Sequence, residues 1–260
     1  MTEPPVVAAS DAGGEVRGAA RARFTVHAFT DVGLRRRRNE DAVLVGGWLC
    51  QTHDGTLVTM EFAPAPPFVC AVADGMGGHA GGDLASRVAM NLVAAAFRDW
   101  RGADDVSDAL LAINDQVRAV GIETDLQGLG TTIAGLCFLT DQLVVFNVGD
   151  SRIYSISDGG LEQLSVDDSV FDTNGRPTNI VTQSMGQVAP VRPHILGLPL
   201  RQGTFLLCSD GVSGLMSDDE LRDAVQPADV ADWGARIVET VRANGADDNL
   251  SFVIVEVAAA

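Results

Sequence analysis

Thr131-Thr-Ile-Ala-Gly-Leu-Cys-Phe-Leu139, a polar turn at Thr140-Asp141-Gln142, then Leu143-Val-Val-Phe-Asn-Val148 is the stretch on which the fold turns. Two apolar runs of strand length separated by so short a turn form an antiparallel pair. The pattern continues through Arg152–Ile156, a turn at Ser157–Gly160 and Leu161–Leu164, which makes the whole segment a meander. Two amphipathic helices lie upstream. Asp83 is placed to cap the first, and Leu84, Val88, Leu92, Val93, Phe97 and Trp100 follow it on one face at helical spacing. Val106, Leu110, Ile113, Val117 and Val120 mark the second. Helices grouped between meanders, instead of alternating one for one with strands, predict an α+β protein with antiparallel sheets.

On the N-terminal side, Phe24–Phe29 reads as a first strand and Ala42-Val-Leu-Val45 as a second, separated by an arginine-dense turn. His53-Asp54-Gly55 predicts a hairpin between Trp48-Leu49-Cys50 and Thr56–Phe62. On the C-terminal side, residues 165–186 read as a polar, irregular loop of the length that often carries function. Helices are expected over about 218–225 and 229–243, the latter stopped by Asn244-Gly245, with a last strand at 250–257. Residues 1–22 are rich in alanine, glycine and proline and are expected to be a disordered tail on one folded domain spanning 23–258.

The chain has 260 residues, 46% of them hydrophobic, enough for a large core. Its 18 basic residues are all arginine and face 35 acids, for a net charge of −17. With no lysine, neither a phosphate-loop lysine nor a Schiff base is available. The acidity excludes broad nucleic-acid binding, which needs a basic face. Cys70, Cys137 and Cys208 sit inside apolar runs and Cys50 stands apart, so neither a disulfide framework nor a zinc knuckle is expected. No run approaches the roughly 18 apolar residues of a membrane span, nor is there a signal-peptide core, and a cytoplasmic, soluble chain follows as the expectation.

Chemistry gathers at strand ends. Phe68-Val-Cys-Ala-Val-Ala runs into Asp74-Gly75, Leu143–Val148 into Gly149-Asp150, and Thr204-Phe-Leu-Leu-Cys-Ser into Asp210-Gly211, while Asp247-Asp248-Asn249 opens the last strand. Carboxylates held together on rigid strand ends repel unless a cation neutralises them, which points to a hard-metal site. Arg35-Arg-Arg-Arg38-Asn39-Glu40-Asp41 packs phosphate-binding guanidinium forks beside potential metal ligands. A site that grips both metal and phosphate, with no nucleotide loop to supply a donor, implies hydrolysis of a phosphoester. Gly75-Met-Gly77-Gly-His-Ala80 fits a dinucleotide fingerprint in form, but a second helix follows where a parallel strand is required, and Asp74 would repel a pyrophosphate. Gly211-Val-Ser-Gly214 lacks the spacing of a nucleophile elbow. His27, His53, His79 and His194 are scattered, without a ligand pair at helical spacing.

Arg36-x-x-Asn39-Glu40-Asp41, Asp74-Gly-Met-Gly-Gly-His79, Gly130-Thr-Thr132, Gly149-Asp-Ser-Arg152, Ser209-Asp-Gly211 and Asp248-Asn249 occur in the order found in the metal-dependent serine/threonine protein phosphatases (PPM, type 2C), in their bacterial form. The resemblance covers about residues 24–257. It implies a four-layer α-β-β-α sandwich of two antiparallel sheets with the active site at one end. It also implies one metal on Asp74, Asp210 and Asp248 and another on Glu40, Asp74 and the Gly75 carbonyl. Asp150 with Asp210 would hold a weaker third ion, Asp41 would order water, and Arg36 would bind phosphate. All-oxygen ligation favours Mn²⁺ or Mg²⁺. The implied partners are a phosphorylated protein substrate and, indirectly, a Ser/Thr kinase that the enzyme opposes; a monomer is expected. A silent phosphoprotein-binding module of the same fold is the alternative, opposed by the complete set of acids. A metal-dependent nuclease fits the ligands but not the charge. Two departures stand out: Met76 occupies a position where some relatives carry a proton-donating histidine, and the segment Val166–Gly186, similar to the substrate-facing flap, is short and has Asp167-Asp168-Ser169 where Asp-His is common.

Overall fold

The computed structural model describes residues 22–51, 55–63, 65–76, 81–126, 128–157, 160–171, 177–226 and 229–259. Five strands come first: β1 (Ala22–Asp31), β2 (Asp41–Val45), β3 (Trp48–Cys50), β4 (Val58–Phe62) and β5 (Phe68–Met76). Helices α1 (Gly82–Ala96) and α2 (Ala103–Glu123) follow. The chain then runs through β6 (Gly130–Thr131), β7 (Ile133–Phe138), β8 (Gln142–Val148), β9 (Arg152–Ser157) and β10 (Gly160–Gln163). After β11 (Ser169–Phe171), β12 (Pro177–Val181), β13 (His194–Pro199) and β14 (Gly203–Cys208), helices α3 (Asp210–Ser213), α4 (Asp218–Ala224) and α5 (Ala231–Ala243) lead into β15 (Leu250–Ala259).

One large sheet runs β10-β9-β14-β15-β1-β4 and the other β13-β8-β7-β5-β2-β3, with β6 joined to β5. Successive side chains on a strand point to opposite faces. Phe68, Cys70 and Val72 of β5 therefore enter the core between the sheets, while Val69, Ala71 and Ala73 face α1 and α2. Across the sandwich, Val253, Val255 and Val257 of β15 fill the same central core, and Leu250, Phe252 and Ile254 face α4 and α5. Two buried faces per sheet explain why these strands read as continuous apolar runs. Three cores stacked in this way make four layers, α-β-β-α, as the fold class predicted.

Register brings the strand ends together. Asp31 faces Leu250 across β1–β15, Asp41 faces Asp74 across β2–β5, and Ile133 faces Val148 across β7–β8. The ends of β5, β8 and β14 and the starts of β2 and β15 thus share one end of the sandwich.

Four expectations need correction. Trp48–Cys50 and Val58–Phe62 do not form a hairpin: β3 pairs with β2 and β4 with β1, so the chain crosses from one sheet to the other. Of the expected turn His53-Asp54-Gly55, His53 and Asp54 lie outside the described residues, as do tail residues 1–21 and His79; β1 begins at Ala22, one residue inside the expected tail. The stretch 165–186 contains an antiparallel pair, β11–β12, and β13 was missed because its proline flanks and Gly197 mask the pattern. Asp83 lies in the first turn of α1 instead of capping it. Among the described residues, no helix is long and apolar enough to cross a membrane.

Phe138 is fully buried and packs against Phe68 of its own sheet and, across the sandwich, Phe24 and Phe205. Phe138→Ala should cost about 3–5 kcal/mol by leaving a cavity between the sheets. Urea denaturation followed by circular dichroism measures it, and a loss below about 1 kcal/mol would contradict the central position of this cluster.

Candidate active site

Backbone pairing sets the first carboxylates. Asp41 opens β2 directly opposite Asp74 near the end of β5. Gly75 N–H donates to the Glu40 carbonyl (3.1 Å), which places Glu40 beside the same strand end. A Cβ on Gly75 would strike the carbonyls of Gly82 and Glu40, so only glycine lets the α1 start and the Glu40 backbone approach it. Thr132 and Thr131 hold Asp74 in place: Asp74 N–H donates to Thr132 Oγ1 (2.9 Å), and Thr131 Oγ1 donates to the Asp74 carbonyl (2.9 Å).

The second sheet supplies the rest. Ser209 ends the β14 segment and donates its hydroxyl to Asp41 Oδ2 (2.8 Å), and Asp210 begins α3 immediately after it. Asp248 and Asn249 precede β15. Asn249 is a clamp: its Oδ1 accepts from Glu40 N–H (2.8 Å), and its Nδ2 donates to the carbonyls of Val32 (3.0 Å) and Arg38 (2.9 Å). The arginine loop is therefore fastened at both ends by one side chain. Within it, Arg36 Nη2 donates to Asp248 Oδ2 (2.6 Å), and Nη1 lies 4.0 Å from Glu40. Arg35 pairs with Asp247 on the exposed rim, away from the inner acids.

All eight predicted residues fall in this one region. The carboxyls of Asp74 and Asp210 act directly on each other, and the charges of Asp41, Asp210 and Asp248 all bear on Asp74. Asp150, at the β8 end, feels Asp210. Burial pushes the Asp41 carboxyl up to about 7, against the pull of the Ser251 and Ser209 hydroxyls. Although Asp74 and Asp210 keep some exposed surface, burial of their carboxyl groups, ahead of their neighbours' charges, raises both, Asp74 well above the usual carboxylate range. Burial and the Asp210 charge lift Asp150 to about 6. Glu40 is raised by burial despite Arg36.

Whether these residues suit a cation can be judged from their oxygens. Asp41 Oδ1 and Asp210 Oδ1 are buried without a hydrogen-bond donor, a costly state for a carboxylate oxygen unless a proton or cation meets it. Every donor is oxygen, the chemistry of a hard divalent ion. Among the described residues, no three acidic, histidine or cysteine side chains are drawn in closely enough to grip an ion as they stand; Asp248 is turned to Arg36 and Asp74 to Asp210. The oxygen donor set fits a divalent cation.

Sequence reading assigned no role to Asn249, Thr131, Thr132, Ser209 or Ser251. The motif positions of Asn249, Thr132 and Ser209 were visible, but their hydrogen bonds depend on tertiary register.

A profile of the protein phosphatase 2C family matches residues 57–254. Over 247 residues the chain is 33% identical to the serine/threonine protein phosphatase PstP of Mycobacterium tuberculosis, an alignment covering 88% of this chain and 44% of that protein. It thus spans less than half the length of that relative. It is 29% identical over 251 residues to the serine/threonine phosphatase stp of Listeria monocytogenes, covering 87% of this chain and 93% of that protein. Among solved structures, the catalytic domain of PstP in complex with two manganese ions superposes with a TM-score of 0.71 at 30% identity, covering 91% of this chain and 99% of that one.

The raised carboxyls carry a sign. In the folded protein Asp41 keeps its proton up to about pH 7, whereas in the unfolded chain it ionises near 3.8. Between those values the folded state binds a proton that the unfolded state has lost, so stability falls as pH rises. The melting temperature in EDTA should drop from about pH 5 to about pH 8, and Asp41→Asn should flatten that slope. Differential scanning fluorimetry reads both; an equal slope in the variant would contradict the buried proton.

Proposed function

The chain belongs to the protein phosphatase 2C family, and from that premise we propose that it is a metal-dependent phosphatase acting on phosphoserine and phosphothreonine in proteins. The observation that carries this reading is the convergence of Glu40, Asp41, Asp74, Asp150, Asp210 and Asp248 from both sheets on one end, with Arg36 among them. Asp74, Asp210 and Asp248 would hold one divalent ion, and Glu40, Asp74 and the Gly75 carbonyl a second. Asp150 with Asp210 would form a weaker third site. Mn²⁺ or Mg²⁺ suits these oxygens. When bound, such ions supply Lewis-acid polarisation of the phosphoryl oxygens and a water acidic enough to attack phosphorus.

The remaining work belongs to the chain. Arg36 donates one bond to Asp248, which leaves further donors of its planar fork for phosphate oxygens. Asp41 is anchored through Oδ2 by Ser209, so the direction of its unpartnered Oδ1 is fixed, and once ionised that oxygen can accept a hydrogen bond from the attacking water and order it. Met76 has no proton to give to the leaving alkoxide, and solvent supplies that proton. The phosphoryl groups removed are of the kind that a serine/threonine kinase installs, which makes such a kinase the opposing activity. The full acid set speaks for catalysis over a silent binding module.

Hydrolysis of p-nitrophenyl phosphate and of a phosphothreonine peptide, with Mn²⁺ and with EDTA, tests the reading. EDTA should abolish turnover, and Asp210→Ala should lower kcat by about 10²-fold or more, the scale of losing one electrostatic partner of the transition state. Activity surviving either change at the wild-type level would sink the mechanism. Arg36→Ala should raise KM roughly tenfold, and an unchanged KM would remove Arg36 from the phosphate site.

A further inference from the structure

Beyond the acids, one carboxylate ties together more elements than any role assigned so far requires. Asp168 lies at the root of the β11–β12 hairpin, with its side chain 11% exposed. Its Oδ2 accepts from Gly149 N–H (2.9 Å), the amide directly before Asp150, and its Oδ1 accepts from His194 Nε2 (2.8 Å) on the edge strand β13. Its backbone is engaged as well: Asp168 N–H donates to the Gly149 carbonyl (3.0 Å), and its own carbonyl accepts from Thr182 N–H (2.7 Å). Residue 168 therefore joins the outgoing leg of the hairpin, its returning leg, the edge strand and the turn that carries Asp150.

The neighbouring residues reinforce that joint. Arg152 Nε and Nη2 grip Asp167 Oδ2 at 2.9 and 2.8 Å, and Gln163 Nε2 donates to Asp167 Oδ1 (2.7 Å). The Asn147 side chain brackets Val166 from both sides, donating to its carbonyl (2.7 Å) and accepting from its N–H (3.2 Å). Asn147 and Arg152 flank the Gly149-Asp150 turn, so three consecutive hairpin-root residues are clasped by residues on either side of Asp150. Gly149 sits at φ +103°, and its missing Cβ lets the turn pack on Thr132, which leaves the turn no freedom to shift alone. The hairpin itself presents Val170 and Ile180, 40% and 62% exposed, to whatever approaches that end.

We propose that Asp168, supported by His194, is a positioning residue that fixes the β11–β12 hairpin against the Asp150 turn, so that a protein substrate touching the hairpin is registered on the phosphate site. The proposal rests on the phosphatase reading for its functional consequence, but the clasp exists independently of it. A small phosphomonoester offers far less surface to Val170 and Ile180 than a phosphoprotein does. Loss of the clasp should therefore separate the two substrates.

The test compares wild type, Asp168→Ala, Asp168→Asn and His194→Gln in two measurements. In kinetics with Mn²⁺, Asp168→Ala should lose roughly tenfold more kcat/KM on a phosphothreonine protein than on p-nitrophenyl phosphate. Asp168→Asn should recover most of that loss, because its amide oxygen still accepts from Gly149 N–H. His194→Gln, a change on a partly exposed edge strand, should show the same split at smaller size and serves if the alanine variant fails to fold. In hydrogen exchange, amides of residues 165–171 and 178–182 and of Gly149 should exchange roughly tenfold faster in Asp168→Ala and faster in His194→Gln, relative to the strands of the core. Equal losses on both substrates, or unchanged exchange at the hairpin root, would overturn the proposal. Failure of the wild type to turn over either substrate would instead overturn the phosphatase reading, with the exchange result still deciding the clasp.

Discussion

Repulsion among carboxylates crowded at one end of a sandwich is the interaction on which the rest of this structure depends. Asp41 and Asp74 are cross-strand partners in one sheet, and Asp210 and Asp248 enter from the other. Each additional negative charge there raises its neighbours' proton affinity, and burial strengthens the effect by removing water. The surroundings answer it with fixed positive ends of dipoles: hydroxyls from Ser209 and Ser251 toward Asp41, and the Arg36 guanidinium on Asp248. A sandwich with three stacked apolar cores can hold such a cluster only at its rim, where the strands stop and apolar packing no longer demands a hydrophobic side chain.

That placement explains what could be read from the sequence. β5, β8, β14 and β15 bury both faces, so each appears as an unbroken apolar run, and the aspartate at its end is conspicuous. The helices flanking the sheets show the 3.6-residue period because only one face of each is buried. What could not be read depends on pairing between distant segments. Trp48–Cys50 and Val58–Phe62 carry the local signature of a hairpin, yet pairing with β2 and β1 wins because it extends two existing sheets. The β11–β12 strands are only three and five residues long, too short to announce themselves by alternation; the pair is fixed from outside by Asn147, Arg152 and His194, none of which adjoins it in sequence.

The same reasoning separates the site residues by visibility. An acid at a strand end is legible as an acid, and six of the candidate positions are read that way or by motif. Their supporting shell is polar, small and ordinary in composition. Thr30, Asn39, Ser209 and Ser251 form a buried network on one sheet and the loop before β2, joined to the other sheet through Asp41: Asn39 Nδ2 donates to Thr30 Oγ1 (2.6 Å), the Thr30 and Ser251 hydroxyls lie 2.8 Å apart, Ser251 N–H donates to Ser209 Oγ (3.2 Å), and Ser209 Oγ donates to Asp41 Oδ2 (2.8 Å). A serine or threonine in a strand carries no signal of such a role until the register is known. Buried networks of this kind are costly when partly satisfied, so the register that completes them is favoured over slipped alternatives.

Asn249 shows how far the site depends on such contacts. The matched family profile begins at residue 57, so Arg36, Glu40 and Asp41 reach the site from a segment outside it. What delivers them is a loop with four consecutive arginines, whose mutual repulsion would otherwise splay it. Asn249 holds the carbonyls of Val32 and Arg38 and the amide of Glu40, and Leu34 N–H donates to the Ala246 carbonyl (2.8 Å). Gly33, at φ +74°, packs its backbone against the carbonyls of Asp248 and Ala246, an approach that a side chain would block. The start of β15 therefore does two jobs with adjacent residues: Asp248 faces Arg36, while Asn249 secures the backbone that carries it. A carboxylate at 249 could accept from Glu40 but could donate to neither carbonyl, and the arginine loop would lose its hold on the site.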